Sequence, residues 1–128
     1  MDMNQAIRSS SFLNAPIDGE ALTRMSSSQS ETQWQDKWGQ DEFAASWMGR
    51  GVSPEISAAV RTGWFPCNTS SLDIGCGEGD VAAWMATRGF SSVGIDIAPA
   101  AITRAKSRYF GVNGTLDFYA MNLCHEAL

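Results

Sequence analysis

Asp73, Gly75, Gly77, Gly79 and Asp96 are the residues whose types and spacing can do chemistry. The three glycines stand at alternate positions in Ile74-Gly75-Cys76-Gly77-Glu78-Gly79-Asp80. Without a Cβ they let a turn take φ > 0 and let a ligand approach bare backbone. Glu78 and Asp80 stand where a helix begins, and its first N–H groups carry partial positive charge. Asp96 comes 17 residues after Gly79, about the length of one crossover helix and a returning strand. A carboxylate at the end of that strand can accept two hydrogen bonds from vicinal ribose hydroxyls. Acids at strand ends often serve only as turn formers or helix caps. The placement of Asp96 relative to the glycine turn favours the ligand role.

The spacing of the turn discriminates between ligands. A dinucleotide fingerprint, G-x-G-x-x-G, requires a third glycine at position 80. Position 80 is Asp80, and the third glycine arrives one residue early, giving G-x-G-x-G. Preceded by Leu72-Asp73-Ile74, this resembles the first motif of the class I S-adenosylmethionine-dependent methyltransferases. The resemblance runs from about Ser70 to Leu123. It implies an α/β fold, a Rossmann-like doubly wound parallel sheet, here truncated after strand three and preceded by N-terminal helices. It implies S-adenosyl-L-methionine as cofactor, with the loop Gly75, Cys76, Gly77 and Gly79 around the methionine moiety and Asp73 near its ammonium group. Asp96 is then the ribose-binding acid, Ile97 flanks the adenine, and Asn122 stands where the family commonly has an aspartate for the adenine amino group. An amide carbonyl still accepts that hydrogen bond, without the charge assistance of a carboxylate.

The elements that must position these residues are readable in outline. Ser71 to Ile74 forms strand one. Val81, Ala82, Trp84 and Met85 pattern the first crossover helix, closed by Gly89. Ser91 to Asp96 is strand two, Pro99 opens the second helix near Ala98, and Leu116 to Ala120 is strand three. Ile102, Ala105 and Tyr109 face inward on the second helix, while Arg104, Lys106 and Arg108 read as a solvated face that complements the helix dipole. Upstream, residues 1–30 form a Ser-rich leader with six serines between Ser9 and Ser28, read as disordered. Residues 31–128 form the partial domain, with N-terminal helices over 31–66 and the cofactor-binding βαβαβ unit over 70–123. Ser30 and Gln33 match a capping box, followed by Trp34 and Trp38 on one helical face. Phe43, Ala44, Trp47 and Met48 make a second amphipathic segment. Aromatics at this spacing read first as core, and second as a cap over the cofactor or substrate pocket. Ser53-Pro54-Glu55 opens a third helix, expected to pack against the sheet and to end at Gly63.

Composition bounds the rest. The chain has 128 residues, 44% hydrophobic, enough for one domain with a modest core. A net charge of −5 argues against broad attraction to nucleic acid. No apolar run approaches the ~20 residues of a membrane span. Cys67, Cys76 and Cys124 are odd in number and lack C-x-x-C spacing, which fits free thiols in a reducing, cytoplasmic setting rather than disulfides or a metal site. Cys124 and the single histidine, His125, are adjacent and read as structural residues. No general base is nominated.

The family fold has seven strands, in the order 3-2-1-4-5-7-6, and the sequence supplies the first three. Strand one is left as an exposed apolar edge, open to self-association. The expected function is methyl transfer to a small-molecule acceptor by in-line displacement. Two alternatives stand beside it: a catalytically inactive S-adenosylmethionine-binding or interaction fragment, and an NAD-dependent oxidoreductase, which Asp80 disfavours.

Overall fold

A computed structural model describes residues 27–66 and 68–126 of the chain. Three helices come first: α1 (Ser27–Trp38), α2 (Asp41–Trp47) and α3 (Pro54–Arg61). The unit β1 (Ser70–Ile74), α4 (Asp80–Thr87), β2 (Ser91–Asp96), α5 (Pro99–Arg108) and β3 (Leu116–Ala120) follows. The strands are parallel in the order β1-β2-β3, with Asp73 beside Gly94 and Asp96 beside Ala120. All three therefore deliver their carboxyl ends to one side, where a ligand crevice forms in this class of sheet.

The core lies where α4 and α5 cover one sheet face. Ala82, Ile102, Ala105 and Phe118 form one buried cluster, with Cys76, Tyr109 and Leu116 packed on it. A second cluster, Trp38, Ala44, Ala98 and Ala101 with Phe43, fastens the N-terminal helices to the start of α5. That start lacks a cap of its own, because Ala98 has no side-chain acceptor. Gln35 of α1 supplies one instead: its Oε1 accepts from the Ala100 amide at 2.8 Å. On the opposite sheet face Leu72, Ile74 and Tyr119 are exposed, and β1 is an edge strand.

Several local expectations are corrected. Helix α1 begins at Ser27, so Ser30 lies inside it and caps nothing; the leader up to residue 26 lies outside the described residues, as does Cys67. Helix α3 starts as expected, with Ser53 Oγ accepting from the Ile56 amide at 3.3 Å, yet none of its residues is fully buried and it makes no extensive contact with the sheet. The basic run on α5 is solvated at Lys106 and Arg108, as expected, but two of its three cations also make specific contacts. Arg104 donates to the Trp38 carbonyl at 2.9 Å and pairs with Asp41 at 2.8 Å, tying α5 to the N-terminal helices. Arg108 reaches back to the glycine turn, 3.0 Å from buried Glu78 and 3.6 Å from Asp80. Buried Glu78 needs such a partner, since an unpaired carboxylate there would be costly.

Candidate functional site

The glycine turn is stitched to the end of β2 by hydrogen bonds. The Gly75 and Cys76 amides both donate to the Ile95 carbonyl, at 2.8 and 2.9 Å, and the Gly79 amide donates to the Cys76 carbonyl at 2.9 Å. The Gly77 amide donates to Asp96 Oδ2 at 2.9 Å, and the Ala98 amide to Asp96 Oδ1 at 2.9 Å. Asp96 thus organises the turn before any ligand arrives, and its carboxylate keeps lone pairs for further donors. Four amides of the turn are spent within the protein, whereas a pyrophosphate cradle needs such amides directed at the ligand.

The three glycines of the turn answer to different neighbours. Gly75, at φ +73°, has no atom within 4 Å of where a Cβ would stand. A Cβ on Gly77 would come within 2.7 Å of the Trp38 ring, and one on Gly79, at φ +86°, would collide with the Phe118 ring. A Cβ on Gly75 would meet open space, whereas Gly77 and Gly79 are required by packing against Trp38 and Phe118.

Around the turn lies a cavity of about 630 Å³, within the range of small-molecule sites. All eight residues singled out in the sequence line it: Asp73, Gly75, Cys76, Gly77, Gly79, Asp96, Ile97 and Asn122. Asn122 is buried, accepts from the Cys124 amide at 3.0 Å and donates through Nδ2 to Glu31 of α1 at 3.4 Å. Cys124 and His125 sit on an exposed terminal turn, and Cys124 is a free thiol.

The turn end of the cavity is anionic. Neither Asp73 nor Asp96 pairs with a cation among the described residues. Burial raises the Asp73 carboxyl above its ordinary 3.8; the Ala82 backbone N–H opposes this, and the charge of Asp96 adds to it. A raised carboxyl binds its proton more tightly in the folded state. Its contribution to stability is therefore complete below its unfolded pKa and is lost as pH rises through the folded value. Burial also pushes the Cys76 thiol up to about 12, reinforced by Asp73 and Asp96, so at neutral pH it is a thiol and no nucleophile.

The aromatic part of the wall was open to sequence only as a second reading, a cap over the pocket, and Arg50, Met121 and Leu123 were given no role there. Trp34, Phe43 and Trp47 from the N-terminal helices and Arg50 just after α2 line the same cavity, with Met121 and Leu123 beyond β3. The i, i+4 aromatic pairs were visible, but nothing local says that this face turns toward a turn forty residues on. Trp38 is core, 6% exposed, while Trp34 and Trp47 keep 39% and 44% of their surface open. The core and capping readings thus divide between neighbouring rings.

Residues 72–127 match a family model described as a methyltransferase domain. A curated relative, 2-heptyl-1-hydroxyquinolin-4(1H)-one methyltransferase of Mycobacteroides abscessus, is 43% identical over 60 residues, covering 47% of this chain and 26% of the relative. Magnesium protoporphyrin IX methyltransferase from Synechocystis PCC 6803, solved with bound SAH, shares 16% identity at a TM-score of 0.61, over 76% of this chain and 53% of that one. The same enzyme solved with SAM gives 18% and 0.54, over 76% and 56%. The chain thus spans about a quarter of the curated relative and about half of the solved enzyme, and the latter likeness is one of fold.

Proposed function

We propose that residues 72–127, which match a methyltransferase-domain model, belong to a class I S-adenosylmethionine-dependent methyltransferase domain, and that the cavity seats S-adenosyl-L-methionine for methyl transfer to a small-molecule acceptor. The observation that carries this reading is the hydrogen bond from the Gly77 amide to Asp96, which joins the ribose-type acid to the glycine turn inside one cavity. The residues present fit the cofactor. Asp73 and Asp96 offer uncompensated negative charge to a ligand with a sulfonium and an ammonium, and Gly75 leaves open space beside bare backbone. Asp96 retains acceptor capacity for the ribose, Ile97 and Leu123 supply apolar walls for the adenine, and the Asn122 carbonyl keeps a lone pair for its amino group. When bound, the cofactor supplies a methyl group on a good leaving group, so the chain contributes mainly alignment and exclusion of water.

The quinolinone named as the curated relative's acceptor is a small molecule, which supports the same acceptor class here. The unpaired thiols Cys76 and Cys124 suit a reducing, cytoplasmic setting. A second reading, a cofactor-binding half without turnover of its own, is favoured by one observation. Among the described residues, the cavity lining holds no histidine or amine that could act as base. NAD is disfavoured by the spent amides of the turn.

Calorimetric titration tests the proposal. S-adenosylhomocysteine binds one to one, and more tightly than NADH; no heat, or tighter NADH, overturns it. Asp73→Asn weakens S-adenosylhomocysteine by about tenfold. The same variant melts higher at pH 7 without ligand, and its melting temperature falls less than that of the wild type between pH 4 and pH 7. A methyl-transfer assay on the same sample separates the two readings, since binding without turnover selects the second.

A further inference from the structure

The aromatic wall that the glycine turn faces has chemistry of its own. Trp38, Phe43 and Trp47 form a chain of rings, Trp38 edge-on to Phe43 at 5.2 Å and Phe43 tilted against Trp47 at 6.3 Å. Its inner end is buried in the core, while its outer end, Trp47, and Trp34 one turn before Trp38 stay partly open on the concave surface of the cavity. Flat indole surface left in a concavity gains most from a flat partner, because aromatic rings prefer offset or edge contacts with one another.

Charge on this wall is opposite to that at the turn. Arg50 lies over the Trp47 ring, 4.1 Å from its centroid, and its Nε donates to the Ser46 carbonyl at 3.1 Å. The guanidinium is thereby held at the cavity wall, and it pairs with no carboxylate among the described residues. One cavity is thus lined by the carboxylates of Asp73 and Asp96, by aromatic rings and by the Arg50 cation.

We propose that the methyl acceptor is a planar aromatic compound bearing an ionisable hydroxyl, its ring against Trp34 and Trp47 and its oxygen beside Arg50. This rests on the methyltransferase reading above and names its substrate class. A cation beside the hydroxyl favours the oxyanion. The proton leaves to water, the oxygen forms a new bond to the methyl carbon, and the carbon–sulfur bond breaks with its electron pair remaining on sulfur. Oxyanion and sulfonium charges cancel in the products. No side-chain base is required, in keeping with a cavity lining that has no histidine among the described residues.

The test uses 2-naphthol and its saturated counterpart 2-decalol, titrated into the protein saturated with S-adenosylhomocysteine. The expected result is naphthol binding at least about tenfold tighter than decalol. Trp47→Leu, a replacement of a half-open side chain, removes most of that difference while S-adenosylhomocysteine affinity stays within about twofold. Ultraviolet absorbance of the bound naphthol shows ionisation at a lower pH than in water, and Arg50→Gln moves it back toward the free value. Equal binding of decalol and naphthol, or unchanged naphthol binding and ionisation in both variants, overturns the inference. If S-adenosylhomocysteine itself does not bind, the methyltransferase reading is what has failed.

Discussion

Gly79→Ala destabilises the domain by about 2–4 kcal/mol, the largest loss expected from any single methyl group added to the turn. Two costs combine. At φ +86° a Cβ is strained whatever surrounds it, and here it would also meet the Phe118 ring and, at 3.3 Å, the Ala105 methyl. Phe118 is 5% exposed and belongs to the cluster that joins α4, α5 and β3, so it has little room to yield. Urea unfolding measures the loss. Adding Phe118→Leu to Gly79→Ala recovers part of it, because the smaller side chain makes room for the new methyl. Gly75→Ala behaves differently: with open space around its Cβ position it loses only about 1–2 kcal/mol from backbone strain. Equal losses at the two positions, or no recovery with Phe118→Leu, would show that Phe118 is not what requires Gly79.

Asp96→Asn has the largest effect on ligand binding. Its two carboxylate oxygens each receive a backbone amide, from Gly77 and from Ala98. An asparagine offers one carbonyl and turns an NH₂ donor toward the other amide, leaving a buried donor unmet at a cost of about 1–3 kcal/mol. The same change removes the charge that strengthens hydrogen bonds to ribose hydroxyls. S-adenosylhomocysteine affinity is expected to fall roughly 10–100-fold, with a lower melting temperature even without ligand. Asp117→Asn, on the exposed surface of β3, serves as the control and leaves both unchanged. Calorimetry that finds Asp96→Asn binding like the wild type would remove Asp96 from the site.

The legible parts of this chain were those fixed by neighbours close in sequence. Ser53-Pro54 capped a helix where it should, and strand two ended at Asp96 and strand three at Ala120, because each boundary is written in a few adjacent residues. The eight residues expected at the site do come together, since the strand–turn–helix repeat brings the strand ends to one side without further instruction. What could not be read depended on partners far along the chain. Gln35 caps α5 across 65 positions, Arg108 pairs with Glu78 across 30, and Arg104 grips the Trp38 carbonyl across 66. A helical wheel of α5 shows three cations on its surface and nothing of the carboxylates that meet Arg104 and Arg108. The same limit hid the role of Phe118, whose ring, and not a ligand, excludes a side chain at Gly79 and comes within 2.7 Å of a Cβ at Gly94. It also hid the division of labour among the tryptophans, for Trp34 and Trp38 share one helical face yet only one is core.

The central claim is that the glycine turn and the end of β2 form one seat for an S-adenosyl nucleoside. Amide chemical-shift mapping of the isotope-labelled protein during titration with S-adenosylhomocysteine tests it most directly. Shifts are expected at Gly75–Gly79, Asp96–Ala98 and Asn122–Cys124, with helix α3 unaffected. Saturation with no shift at Gly77 or Asp96, or shifts confined to residues outside the cavity, would contradict it.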